Sequence, residues 1–349
     1  MTSRIFRLIA LAALLAGGIA EGAAPPFPGA GKNYKAWTLT HLPGSPEGLA
    51  IDARGRIFTA LSDTGEILRL DDHGGYTHVA SVPSTDLGRA GHTWGLEFDS
   101  RGYLYAAYVW TSKFYDESDP LHLACRDSTD QYTGIYRIDV DTGKVEPVLT
   151  KHDGWPGCFP DDIAVDSHGN LYVTDLTLSG VWKIMPDRTF KLWSSQPLLQ
   201  WPPDPYNAIV EGANDLVIDA AEQNLLIVTD GDPAIIRIPI AADGSAGTAA
   251  VVARDLSPLD GIALDELGNI YVSEILRSEI SVFSPDGAQR IVIATADTAP
   301  LVNPTSLVYR NGVICAANLG WNVKPEPRSV ACVSGFRRPV KAAAAQPPH

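Results

Sequence analysis

The sequence predicts an all-β chain folded as a six-bladed β-propeller of four-stranded blades, and three observations carry that prediction. One unit recurs six times, opening at Pro46 (PEGLAID), Thr93 (TWGLEFD), Pro160 (PDDIAVD), Ala213 (ANDLVID), Leu259 (LDGIALD) and, in degenerate form, Pro304 (PTSLVYR). Each unit reads as an apolar strand, a turn, a second strand, a polar loop and a third strand. The second residues of the units fall 47, 67, 53, 46 and 45 apart, a period that strands alone fill when they form propeller blades. No stretch beyond the N-terminal segment repeats with the period of a helix.

Taken in order, residues 1–24 join Arg4 and Arg7 to an apolar run from Leu8 to Leu15 and then to small residues. That is the layout of a secretory signal peptide. The run is too short to span a bilayer comfortably, so the mature chain is expected in the periplasm or secreted, free of the membrane. YKAWTLTHL from Tyr34 precedes the first unit, whereas the sixth unit lacks an obvious fourth strand. The N-terminal strand is therefore expected to complete the last blade and remove an exposed edge, giving a propeller over residues 34–338. YTHVASV from Tyr76 and TFKLWSS from Thr189 are expected to be outermost strands. The 67-residue interval places a long insertion at Trp110–Thr133, read as a lid over one face, and a Pro-rich loop from Gln200 carries Trp201 and Tyr206 as possible pocket walls. Residues 339–349 read as a disordered tail.

Four cysteines in an exported chain favour two disulfides. Proximity pairs Cys125 with Cys158, tying down the lid, and Cys315 with Cys332, stapling the closing blade; two other pairings are possible. With 27 Lys and Arg against 41 Asp and Glu, the net charge of −14 disfavours a nucleic acid or an anionic membrane as partner. A small molecule is the expected partner, and a monomer the expected state. The chain has no G-x-S-x-G elbow and no Gly-rich phosphate loop, which argues against a serine triad and against nucleotide cofactors.

Two polar columns run through the units. Asp52, Asp99, Asp166, Asp219 and Asp265 close the first strand, four of them beginning a D-x-x-G turn; a residue used in nearly every blade reads as turn chemistry. The second-residue column differs: Glu47, Trp94, Asp161, Asn214, Asp260 and Thr305. Ring closure would gather these at the channel mouth, where three carboxylates and an amide repel one another unless a hard cation, Ca²⁺ above all, takes their oxygens. The competing reading is a set of solvated residues beside a water-filled channel.

These residues resemble the gluconolactonase and senescence-marker-protein family of regucalcin-like six-bladed propellers, over about Pro46 to Ser334. In that family a Glu opening the first unit, an Asn and an Asp in a D-G setting hold a divalent metal, which maps onto Glu47, Asn214 and Asp260. PDDIAVD resembles the family's P-N-D-G segment, but with Asp161 in the Asn place, and the family's G-P-x-W after the first Glu is missing. The resemblance implies metal-dependent hydrolysis of a lactone or similar ester. Glu47 and Asn214 would be ligands, Asp260 a ligand that doubles as base or nucleophile, and Asp161 a fourth ligand or substrate contact. Trp94 would flank the substrate or serve in packing. His92 and lid residue His122 could reach a pocket, His122 as a substrate contact, while His78 and His168 read as surface residues. A non-catalytic propeller that binds a ligand or protein, and a propeller lyase or isomerase, are the alternatives.

Overall fold

A computed structural model describes residues 34–82, 92–111, 131–200, 212–320, 323 and 328–335. Residues 1–33, His122, Cys125, Trp201, Tyr206 and the C-terminal tail lie outside the described residues. β1 (Lys35–His41) opens the chain. Blade 1 follows with β2 (Pro46–Ile51), β3 (Ile57–Leu61), β4 (Glu66–Leu70) and β5 (Tyr76–Ser81), and blade 2 with β6 (His92–Phe98), β7 (Leu104–Thr111), β8 (Gln131–Asp139) and β9 (Lys144–Thr150). Blade 3 holds β10 (Pro160–Val165), β11 (Leu171–Asp175), β12 (Gly180–Ile184) and β13 (Phe190–Ser194); blade 4 holds β14 (Ala213–Ile218), β15 (Asn224–Thr229), β16 (Ala234–Pro239) and β17 (Ala250–Ala253). Blade 5 comprises β18 (Leu259–Leu264), β19 (Ile270–Glu274), β20 (Glu279–Phe283) and β21 (Arg290–Ala294). In blade 6, β22 (Pro304–Arg310), β23 (Val313–Asn318) and β24 (Ser329–Ser334) are joined by β1, which pairs antiparallel with β24.

The first strand of each blade touches the first strands of its two neighbours, including β2 against β22, so the ring is closed. Six apolar clusters hold it together, one in each gap between adjacent blades. The fourth residue of every unit (Leu49, Leu96, Ile163, Leu216, Ile262, Leu307) is buried in these gaps. Blades 2 and 3 share the most aromatic gap, where Trp155 and Trp182 meet edge to face. Cys315 and Cys332 are cross-strand partners on β23 and β24 and form a disulfide, as the sequence predicted. Cys158 is also disulfide-bonded, and its predicted partner Cys125 lies outside the described residues.

One irregularity shapes the channel. In all six inner strands the pairing with the second strand slips between the first and fourth unit residues, so two residues oppose one. Such a bulge re-aims the side chains it carries, and here the bulged pair is the second and third residue of each unit.

The third residues are Gly48, Gly95, Asp162, Asp215, Gly261 and Ser306. Where they are glycine, the neighbouring blade's backbone comes so close that a β-carbon on Gly48 or Gly261 would collide with the carbonyl oxygen of Trp94 or Thr305. Where they are polar, they bridge the gap: Asp162 Oδ2 accepts the Leu216 amide at 3.3 Å, Asp215 Oδ2 that of Ile262 at 3.0 Å, and Ser306 Oγ that of Leu49 at 3.1 Å.

The turn column behaves as its recurrence predicts. Asp52, Asp99, Asp166 and Asp265 each accept backbone amides two and four residues on, and Asp219 accepts that of Gln223. The predicted lid is shorter than its sequence bounds. β7 runs through Trp110 and Thr111, which pair with Tyr132 and Gln131 of β8, because this aromatic hairpin extends the sheet at both ends of the insertion. The insertion proper, residues 112–130, lies outside the described residues. His78 and His168 are exposed.

The close approach of inner strands makes Gly48→Ala and Gly261→Ala destabilising by about 1–3 kcal/mol each, as overpacking does. Thermal or urea unfolding measures this, and wild-type stability in both variants would contradict the backbone proximity described here.

Candidate functional site

Glu47, Asp161, Asn214 and Asp260, contributed by four different blades, line one narrow cavity together with Gly95, Asp162, Asp215 and Ser306. About 160 Å³ of non-atom space, part of it open to solvent, lies among these residues. The bulged pairs supply this lining, with the second residue from blades 1, 3, 4 and 5 and the third from blades 2, 3, 4 and 6. Glu47, Asp161 and Asn214 are buried and Asp260 is half-buried.

The remaining members of the predicted ring serve otherwise. Thr305 Oγ1 donates to the Glu47 carbonyl at 3.1 Å, tying blade 6 to blade 1. Trp94 is buried against Phe159, ring centroids 5.3 Å apart, and is not among the cavity-lining residues. His92 begins β6 rather than lying in the loop before it, and its Nδ1 is engaged with the Ser62 carbonyl; burial lowers its pKa.

Acidic side chains converge here with no Lys or Arg among the described lining residues. Burial, and then the charges of Asp161, Asp260 and Asp162, push the Glu47 carboxyl well above the usual range. In the same lining, Asp215 is raised by burial and by Asp162, and Asp162 is raised by burial. Glu97 stands two residues beyond Gly95, at a position that is Ala50, Ala164, Val217, Ala263 or Val308 in the other units. Burial, with help from Asp162, lifts its pKa to about 8. The donor set is all oxygen, which fits a hard divalent cation in its chemistry. Among the described residues, no three His, Cys, Asp or Glu side chains are grouped closely enough to hold an ion as they stand.

The loops leading into the inner strands are braced from the second strands. Asp175 accepts the Cys158 and Phe159 amides and Trp182 Nε1; Glu274 accepts the Ser257 amide; and Asn318 Oδ1 accepts that of Val302. In blade 4 the corresponding residue is Thr229, which pairs with Ala213. The next residue, Asp230, accepts a hydrogen bond from Asn214 Nδ2 at 2.8 Å.

Sequence reasoning found the second-residue column but not the third. Its signal was present as Gly, Gly, Asp, Asp, Gly, Ser one position on, a set restricted to small or oxygen-bearing residues. His122, predicted to contact substrate, lies outside the described residues.

Residues 129–309 match the family model of the SMP-30/Gluconolactonase/LRE-like region. No curated protein matches the chain by sequence. Among solved structures, a gluconolactonase from Xanthomonas campestris superposes with a TM-score of 0.63 at 14% identity, covering 89% of this chain and 91% of that one. A structural-genomics target provisionally assigned as a gluconolactonase gives 0.61 at 17% identity, over 88% and 95% of the two chains. Virginiamycin B lyase from Staphylococcus aureus gives 0.53 at 14% identity, over 86% and 99%. At such identities the likeness is one of fold.

A raised carboxyl makes folding stability fall with pH. The folded chain holds a proton that the unfolded chain releases near pH 4.3, so Glu97's contribution is complete below that value and is lost as pH rises through about 8. In chelator, the unfolding temperature is expected to fall between about pH 5 and pH 8. Glu97→Gln should flatten part of that slope and be the more stable form above it. Identical pH profiles for the two proteins would refute the assignment.

Proposed function

Since the chain belongs to the SMP-30/Gluconolactonase/LRE-like family, we propose that it is a divalent-metal-dependent hydrolase of the gluconolactonase type, opening a lactone or a similar ester at the channel mouth. The observation that supports this reading most directly is the convergence of Glu47, Asp161, Asn214 and Asp260 on one cavity. Those four residues would hold the ion, and oxygen donors alone favour Ca²⁺ over Zn²⁺. When bound, the ion would polarise the substrate carbonyl and offset the charge that develops on its oxygen.

Asp260 is the reactive carboxylate in this proposal. As the half-buried member of the set, it can meet solvent and substrate: it takes the proton of the attacking water and returns it to the ring oxygen as the acyl C–O bond breaks, or attacks the carbonyl carbon itself, displacing that oxygen, and water then hydrolyses the resulting acyl-enzyme anhydride. Buried Glu47 and Asn214 serve as fixed ligands, with Asp161 as a fourth ligand or substrate contact. The substrate rests on the solvent side of Asp260, with His122 proposed as a contact, while Trp94, packed against Phe159, serves in the core. Three carboxylates around a divalent ion leave a net charge of about −1 by formal count. That charge repels the carboxylate product of lactone opening and favours its release.

The test begins with the chelator-treated protein. Ca²⁺ is expected to raise the unfolding temperature, more near pH 8 than near pH 5, because the ion competes with protons held on the raised carboxyls. A screen of γ- and δ-lactones and aryl esters should then find turnover that chelator abolishes and that Asp260→Asn lowers by roughly 100-fold or more. Ion binding without turnover of any of these would point to a ligand-binding propeller. Ring opening by elimination, with no water incorporated, would point to a lyase. Turnover that survives Asp260→Asn would remove that residue from the chemistry.

A further inference from the structure

We propose that Asp230 is a positioning residue, which holds the Asn214 amide so that its side-chain oxygen faces the channel mouth as a cation ligand. The inference rests on the reading of that mouth as a metal site. Its geometric basis is the 2.8 Å hydrogen bond from Asn214 Nδ2 to Asp230 Oδ2, made between two residues that are only 5% and 4% exposed. A carboxylate can only accept, so the amide nitrogen must be the group turned towards Asp230. The oxygen is then the end that Asn214 offers elsewhere, and Asn214 lines the cavity. Fixing one end of a ligand through its other polar group is how outer residues orient metal sites.

Nothing in the blade itself calls for a charge at this place. The amide of the residue just past the second strand bonds back to the loop before the inner strand at Ser62, Leu176, Asp230, Ile275 and Leu319, and Val109 occupies the matching place opposite His92. Asp230 is the one ionisable member of that series. It reaches the position because the turn of blade 4 is one residue longer, Asp219 to Asn224, where blades 3 and 5 run from Asp166 to Asn170 and from Asp265 to Asn269. The sequence V-T-D therefore ends differently in the two blades. Asp175 braces the leading loop, while Asp230 is carried one step on, to Asn214.

Calorimetric titration of chelator-treated protein with Ca²⁺ tests the assignment. Asp230→Leu, close in shape but unable to accept, should weaken binding about 10–100-fold, with Asp230→Ala as the substitute should the Leu chain fail to fold. Asp230→Asn, which retains an acceptor oxygen and loses the charge, should stay within a few-fold of wild type. In an Asn214→Ala background, Asp230→Leu should have no further effect. If Asp230→Leu binds Ca²⁺ as wild type does, or Asp230→Asn is as impaired as Asp230→Leu, the positioning role is overturned. If the wild-type chain binds no Ca²⁺, the metal reading of the mouth fails and this role fails with it.

Discussion

The mouth of this propeller depends on a two-residue bulge repeated in every inner strand. A regular strand would send successive side chains to opposite faces, into the two gaps between blades. By opposing two residues to one, the bulge takes the second and third unit residues out of that alternation while the fourth returns to the core. The fourth residue fills the apolar clusters between blades in every unit, and of the bulged residues Trp94 joins it there, in the gap between blades 2 and 3. The fourth position packs in every blade, whereas the bulged pair serves the cavity in some blades and the contact between blades in others.

The third position carries the mechanical side of this arrangement. Either a glycine lets the neighbouring backbone approach, or an oxygen accepts the next blade's amide. Both solutions bring the inner strands close, and closeness concentrates acidic groups. The raised carboxyls of Glu47, Asp162, Asp215 and Glu97 follow from it. Burial disfavours the ionised form of each, and repulsion between carboxylates adds to it at Glu47, Asp215 and Glu97.

The architecture was legible in the sequence because each unit repeats the same local instructions: an apolar strand, an Asp-anchored turn, a second strand. The closing role of β1 was legible from the missing fourth strand of the sixth unit, and the second-residue column from its refusal to repeat. The third column escaped because glycine in a strand reads as a turn or a flaw until the neighbouring backbone is in view. Asp230 escaped for another reason: aligned by sequence, V-T-D in blade 4 matches V-T-D in blade 3, and only the pairing register separates them. The strand ends at Thr111 and Gln131 are hidden in the sequence because the insertion between them is rich in polar residues, so its polarity masks where the sheet stops.

The joining of β1 to β24 also sets an order of events in time. β1 precedes every blade in the chain, yet β24, the strand it pairs with, follows almost 300 residues later. Five blades can form one after another as the chain emerges, while β1 waits with both edges open. The ring can close only once β24 has been made, and the Cys315–Cys332 bond locks β23 to β24 at that same seam. Assembly of the whole is thus governed by its most non-local contact, the step that theory makes slowest.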